Sequence, residues 1–118
     1  MITVNLSQDD EKKTLSLRLS GHAGQAEIGH DIICASATIL AYTVAQVVRL
    51  MEGNKELTRK PTIRLKKGNI EITCHCKTDT SYAEALHTYF VAQVGYSLLA
   101  HNYPQYVALN SFGKPAKA

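Results

Sequence analysis

Cys34 lies twelve positions after His22 in the segment Gly21-His22-Ala23-Gly24-Gln25-Ala26-Glu27-Ile28-Gly29-His30-Asp31-Ile32-Ile33-Cys34-Ala35. A thiol does chemistry as the thiolate, and an imidazole beside it both draws off the thiol proton and can return it to a departing group. Asp31 has the residue type that caps a helix start. With Asp31 as cap, Cys34 falls on the third helical position, near unpaired backbone N–H groups and the positive end of the helix dipole, which favour the thiolate. Gly21, Gly24 and Gly29 let the intervening chain turn tightly, and the loop from Ala23 to His30 is expected to reshape itself around a bound molecule. The plainer reading stands beside this one: a cysteine on an apolar helix is ordinarily a small core residue, and a histidine beside glycine often only completes a turn.

The elements that must hold this pair are legible from periodicity. Ile2, Val4 and Leu6 alternate with polar residues, as do Leu15, Leu17 and Leu19, then Ile63 and Leu65, then Ile70, Ile72, Cys74 and Cys76. A period of two marks strands with one buried face. Ser7 to Lys13 joins the first two strands, Gly68-Asn69 makes a tight hairpin between the next two, and Tyr106 to Asn110 is a fifth strand. Residues 32–48 and 85–113 contain no Asp, Glu, Lys or Arg. The first stretch approaches the length of a membrane span, about 17–25 residues. Ser36, Thr38, Thr43 and Gln46 favour a buried helix instead, running from Asp31 to about Glu52 with Gly53 beyond. Ser81 with Glu84 matches a capping box for a second helix that must stop near Asn102, ahead of Pro104. The order ββαββαβ implies an α+β fold: one mostly antiparallel sheet with two long helices packed on one face.

At 118 residues and 13.0 kDa the chain suits one domain, taken as residues 1–113 with 114–118 as a disordered tail. Charged residues make up 19% of the chain, below the usual quarter, so disorder is excluded and burial of more than one surface is implied. On the first helix Ile33, Ala37, Leu40, Val44, Val47 and Met51 form one apolar stripe. Ile32, Ala35, Ile39, Tyr42 and Leu50 form another, which suits contact with a second copy of the chain. Three cysteines without framework spacing, and no signal-like start after Met1, point to the reducing cytosol.

The segment from Gly21 to Ala35 resembles the signature of the ribosomal-processing cysteine protease (Prp) family: Gly-His-Ala, a short loop, then Gly-x-Asp-Ile-Val-Cys-Ala. The hairpin over Thr62 to Cys76 and the run Tyr103-Pro104-Gln105-Tyr106 agree with it, so the resemblance extends to about Leu109. It implies a homodimeric bacterial cytosolic cysteine endopeptidase that removes an N-terminal extension from the large-subunit ribosomal protein numbered twenty-seven, cutting after a hydrophobic-aromatic stretch. By resemblance Cys34 is the nucleophile, His22 the base and Asp31 the organising acid. Gly21, Ala23, Gly24 and Gly29 form the substrate loop, and no cofactor is implied. Two positions depart from the family: Ser36 where Ala is common, and Thr38 where Ser is common. Thr38 lies one turn from Cys34 and can still offer a hydroxyl, though its methyl group restricts the rotamer.

Other signals carry less. Strand alternation separates His75 from Cys74 and Cys76, so that trio is no chelate, and His22, His30 and Cys34 are the remaining metal alternative. Residues 49–67 hold Arg49, Lys55, Arg59, Lys60, Arg64, Lys66 and Lys67 against Glu52 and Glu56. This run suits a solvated face, and it supports the rival reading of a non-catalytic, ribosome-associated binding protein. Direct nucleic-acid contact is otherwise not expected, nor a membrane.

Overall fold

The computed structural model describes residues 1–21 and 28–112, of which residues 28–31 by backbone alone. Seven elements follow the expected order: β1 (Ile2–Asp9), β2 (Thr14–Ser20), α1 (Ile28–Gly53), β3 (Thr62–Lys66), β4 (Asn69–His75), α2 (Asp79–Asn102) and β5 (Val107–Asn110). The strands form one sheet in the order β3-β4-β2-β1-β5. All neighbours are antiparallel except β1 and β5, which run parallel. The sheet is therefore mixed but mostly antiparallel. Residues 113–118, including the expected tail, lie outside the described residues.

One face of the sheet carries the core. Val4, Leu15, Leu17, Ile72 and Cys74 are fully buried there against Ile33, Ala37, Val44 and Val48 of α1 and Ala85, Tyr89 and Tyr96 of α2. By length and composition alone α1 could cross a bilayer, but its inward stripe packs into this core. Both buried tyrosines satisfy their hydroxyls as burial demands. Tyr89 donates to the Ile72 carbonyl at 2.9 Å, and Tyr96 donates to the Ala37 carbonyl of α1 at 2.9 Å. The second bond pins α1 one turn beyond Cys34. The helices also approach closely at Gly95, where a β-carbon would come within 2.8 Å of the Leu40 side chain.

The helix termini differ from expectation. The start of α2 is capped by Thr78, whose hydroxyl accepts from the Ser81 N–H at 3.0 Å while the Ser81 hydroxyl accepts from the Thr78 N–H at 3.0 Å. The box sits three residues earlier than the Ser81–Glu84 reading, because Ser81 is buried and serves as the inner partner. At the end of α1 the left-handed residue is Lys55 (φ 61°), not Gly53. More consequentially, α1 begins at Ile28, so Asp31 lies inside its first turn rather than capping it. Gly29 weakens a helix by about 1 kcal/mol without ending it. Gly29 and His30, expected in the loop, are accordingly helical.

The open face of the sheet is polar. Ser16 and Thr73 share a hydrogen bond of 2.9 Å, and Glu71 is paired with Arg18 at 3.3 Å and Arg64 at 3.0 Å. Burial pushes the Glu71 carboxyl up, but the Thr73 hydroxyl and the two guanidinium groups outweigh it and hold it below its ordinary value of 4.5. A depressed carboxyl contributes stability that is present above the unfolded value and lost as pH falls through the folded one. Glu71→Gln is thus expected to lower the urea midpoint near neutrality and to lose that effect in acid, once the carboxyl is protonated in both folded and unfolded chains. Equal losses at both pH values would show that the carboxylate charge is not what matters.

Candidate functional site

Cys34 sits six residues into α1, half-buried, on a wall of an open cleft of about 610 Å³. Thr38 lines the cleft one turn further on, with Ile39 and Tyr42 of the same helix. The opposite side is built by Ile2, Leu19 and Gly21 and by the hairpin residues Lys66, Lys67, Gly68, Asn69 and Ile70. Sheet register brings these parts together. Ser20 pairs with Asn69, so the end of β2 lies beside the turn between β3 and β4. The walls are largely aliphatic and aromatic, which suits an apolar chain segment, while Lys66 and Lys67 place positive charge at one rim.

Gly21 is the hinge of this arrangement. Its N–H donates to the Gly68 carbonyl at 3.1 Å, and its φ is 82°, in the left-handed region open mainly to glycine. A β-carbon there would run into the Met1 carbonyl oxygen. The next residue along the chain is His22. His22, Ala23 and Gly24 lie outside the described residues, as do the side chains of His30 and Asp31. The structure thus places Cys34, Thr38 and Gly21 on one cleft and shows Gly29 only as a helical residue.

The earlier start of α1 changes the electrostatic argument for Cys34. The unpaired N–H groups of a helix belong to its first four residues, here Ile28 to Asp31, so Cys34 lies beyond them instead of among them. The two departures from the family pattern are also separated. Ser36 spends its hydroxyl on the Ile32 carbonyl at 2.8 Å and does not line the cleft. Thr38 does line it, so only that substitution bears on the site.

The other cysteines lie apart from the cleft. Cys74 and Cys76 are 0% and 3% exposed on the core face, whereas His75 hydrogen-bonds Thr14 through Nδ1 at 3.0 Å on the other face. This is the separation that alternation predicts. All three cysteines are free. Brief treatment of the folded protein with iodoacetamide is therefore expected to modify Cys34 and leave Cys74 and Cys76 untouched, as peptide mapping would show. Equal labelling of the three would refute the assignment. The basic side chains of residues 49–67 are all exposed, and sequence reasoning missed that Lys66 and Lys67 reach the cleft. It also missed Ile2, Leu19, Ile39, Tyr42 and Ile70 as its walls, because pairing of β4 with β2 has no signature in either strand alone.

A family model described as cysteine protease Prp matches residues 1–108. The chain belongs to the Prp cysteine protease family. The ribosomal processing cysteine protease Prp of Staphylococcus aureus is 43% identical over 42 residues, which is 36% of this chain and 40% of that protein. The aligned part thus spans less than half the length of that curated relative. Over the whole fold, the chain is similar to crystal structures of the S. aureus essential ribosomal processing protease Prp. One is in complex with a substrate peptide (26% identity, TM-score 0.67) and one with a covalently linked product peptide (27% identity, TM-score 0.68). Both likenesses cover 95% of this chain and 99% of that one. The Prp fold, an α+β sheet with two helices, is the fold described above.

Proposed function

We propose that this chain is a cysteine endopeptidase in which Cys34 is the nucleophile and His22 its base, and that it trims the N-terminal extension of a large-subunit ribosomal protein, the one numbered twenty-seven. The observation that carries the reading is Cys34 on the wall of an apolar cleft whose opposite side holds Gly21, the residue bonded to His22. The S. aureus relative with a covalently linked product peptide supports it.

In the proposed reaction an extended peptide lies in the cleft with its apolar side chains against Ile2, Leu19, Ile39 and Ile70. His22 takes the Cys34 proton, and the sulfur attacks the scissile carbonyl carbon. The resulting oxyanion collapses, the C–N bond breaks, and His22 returns the proton to the leaving amine. A thioester of the N-terminal fragment remains on Cys34. Water, deprotonated by His22, then attacks it, releasing the fragment as a carboxylate and restoring the thiol. We assign Asp31 and Thr38 supporting roles, Thr38 lining the same cleft one turn beyond Cys34. Gly21, Ala23 and Gly24, the residues flanking His22, we assign to the peptide-binding segment.

Three free cysteines suit a reducing bacterial cytosol as the place of action. The apolar outer faces of α1 and α2 suit a homodimer. The test is to incubate the ribosomal protein, carrying its extension, with this chain and with Cys34→Ala. Mass spectrometry should show loss of the extension with the parent chain only. An unprocessed substrate would refute the substrate assignment, and cleavage by Cys34→Ala would refute the nucleophile.

A further inference from the structure

We propose that the open face of the sheet binds the phosphate backbone of an RNA duplex, apart from the chemistry at Cys34. A net charge of +3 is too mild to point to nucleic acid, but it averages over an uneven distribution. Residues 49–67 hold seven of the thirteen lysines and arginines and only two of the ten acids, while the rest of the chain has eight acids against six bases. The fold brings the end of this segment, as β3, to one edge of the sheet, where its charges meet another from β2.

Strand register sets out the row. Arg64 of β3 stands opposite Glu71 of β4, and Glu71 stands opposite Arg18 of β2, all on the face turned away from the core. One carboxylate is thus shared by two guanidinium groups, at 3.0 Å and 3.3 Å, whose side chains stay 43% and 64% exposed. A guanidinium has five N–H donors, so each keeps donors for a second anion and the row stays net positive. Lys66 follows Arg64 on the same face of β3 and is exposed. At the other end, burial and then the charge of Arg59 hold the His75 imidazole below its ordinary value of 6.5, which sets Arg59 beside this face as well. Four cations therefore stand against Glu71 and, at the far end, Asp9. Charged side chains on an edge strand also guard against aggregation, which accounts for β3. That reason does not reach Arg18, whose strand is the middle one of the five.

The uncharged groups select the occupant. Asn5, Ser7, Thr14, Ser16 and Thr73 line, with Arg18, a shallow depression of about 440 Å³ on this face. None of the five strands contains Phe, Tyr or Trp. Proteins that hold single strands stack bases on such rings, and this face has none to give. An RNA duplex needs no rings: it is held by cations on phosphates and by hydrogen-bonding groups on the 2′-hydroxyls of its wide, shallow groove. An acidic protein would meet the cations and leave the hydroxyl and amide groups unused. Lys66 also reaches the rim of the Cys34 cleft, so this surface and the cleft adjoin.

The test is fluorescence anisotropy of a labelled RNA duplex of about 16 base pairs, titrated with the full chain. At about 0.1 M salt the Kd should fall in the range of roughly 10⁻⁶–10⁻⁴ M, with a log–log salt slope of roughly −3. A DNA duplex of the same sequence and the single RNA strand should bind more weakly. Arg18→Gln, Arg59→Gln and Arg64→Gln should each weaken RNA binding about threefold or more and reduce the slope by about one. Arg49→Gln makes the same charge change on α1, on the covered side of the sheet, and should leave binding unaltered. Circular dichroism and peptide cleavage should be unchanged in all four variants, so the peptidase reading stands or falls separately. No binding of the RNA duplex at about 0.1 mM protein, equal affinity for poly-glutamate, or an equal loss in Arg49→Gln would overturn the inference. Equal affinity for the DNA duplex or for the single strand would overturn the assignment to duplex RNA.

Discussion

His22→Ala is expected to fold like the parent chain and to cleave peptide about 10²–10⁴-fold more slowly, the usual effect of removing a positioned base. The residue follows Gly21, which lies beyond the end of β2, and among the described residues the core is built by β1, β2 and β4 with the two helices. The loss should appear in kcat, because the imidazole acts on the proton of Cys34 and of the leaving amine while the cleft walls hold the peptide. Circular dichroism and urea unfolding check the first half of the expectation, and steady-state kinetics the second. A variant that unfolds, or one that keeps full activity, would make His22 a structural residue.

Gly21→Ala is expected to damage both stability and activity. The left-handed backbone conformation costs a residue with a β-carbon about 1–2 kcal/mol, and here the added carbon also meets the Met1 carbonyl oxygen. Relief requires either the first residue of the chain or the end of β2 to move. The Gly21 N–H bond to Gly68, which fixes the hairpin at the cleft, would be strained with it. We expect a loss of at least about 2 kcal/mol in urea unfolding, with a fall in cleavage larger than the unfolded fraction accounts for. Gly53→Ala is the matched control: nothing lies within 4 Å of a β-carbon there and the backbone is not left-handed. That substitution should be neutral or slightly stabilising. Equal effects at the two glycines would contradict the hinge role of Gly21.

Strand alternation made the fold legible, since Leu15, Leu17 and Leu19 or Ile70, Ile72 and Cys74 leave no choice of buried face. The uncharged stretches marked both helices for the same reason. What periodicity could not show is which strands are neighbours. The parallel pairing of β5 with β1 and the placement of the Lys66–Asn69 turn beside Gly21 follow from the path of the whole chain, and the cleft depends on both. Local capping rules misplaced two helix starts. At Asp31 a good capping residue proved to be an interior one, because Gly29 did not stop the helix. At Ser81 the true cap, Thr78, uses a serine where the familiar box has a glutamate. Cys34 was legible through residue types and spacing, whereas the walls that make its surroundings apolar were not.

The most direct test of the central claim is to trap the thioester. A substrate peptide mixed with the protein and quenched in acid during turnover should leave an adduct whose mass is that of the N-terminal fragment less one water, and digestion should place it on Cys34. Turnover of the peptide with no adduct on Cys34, and undiminished turnover by Cys34→Ala, would contradict the account.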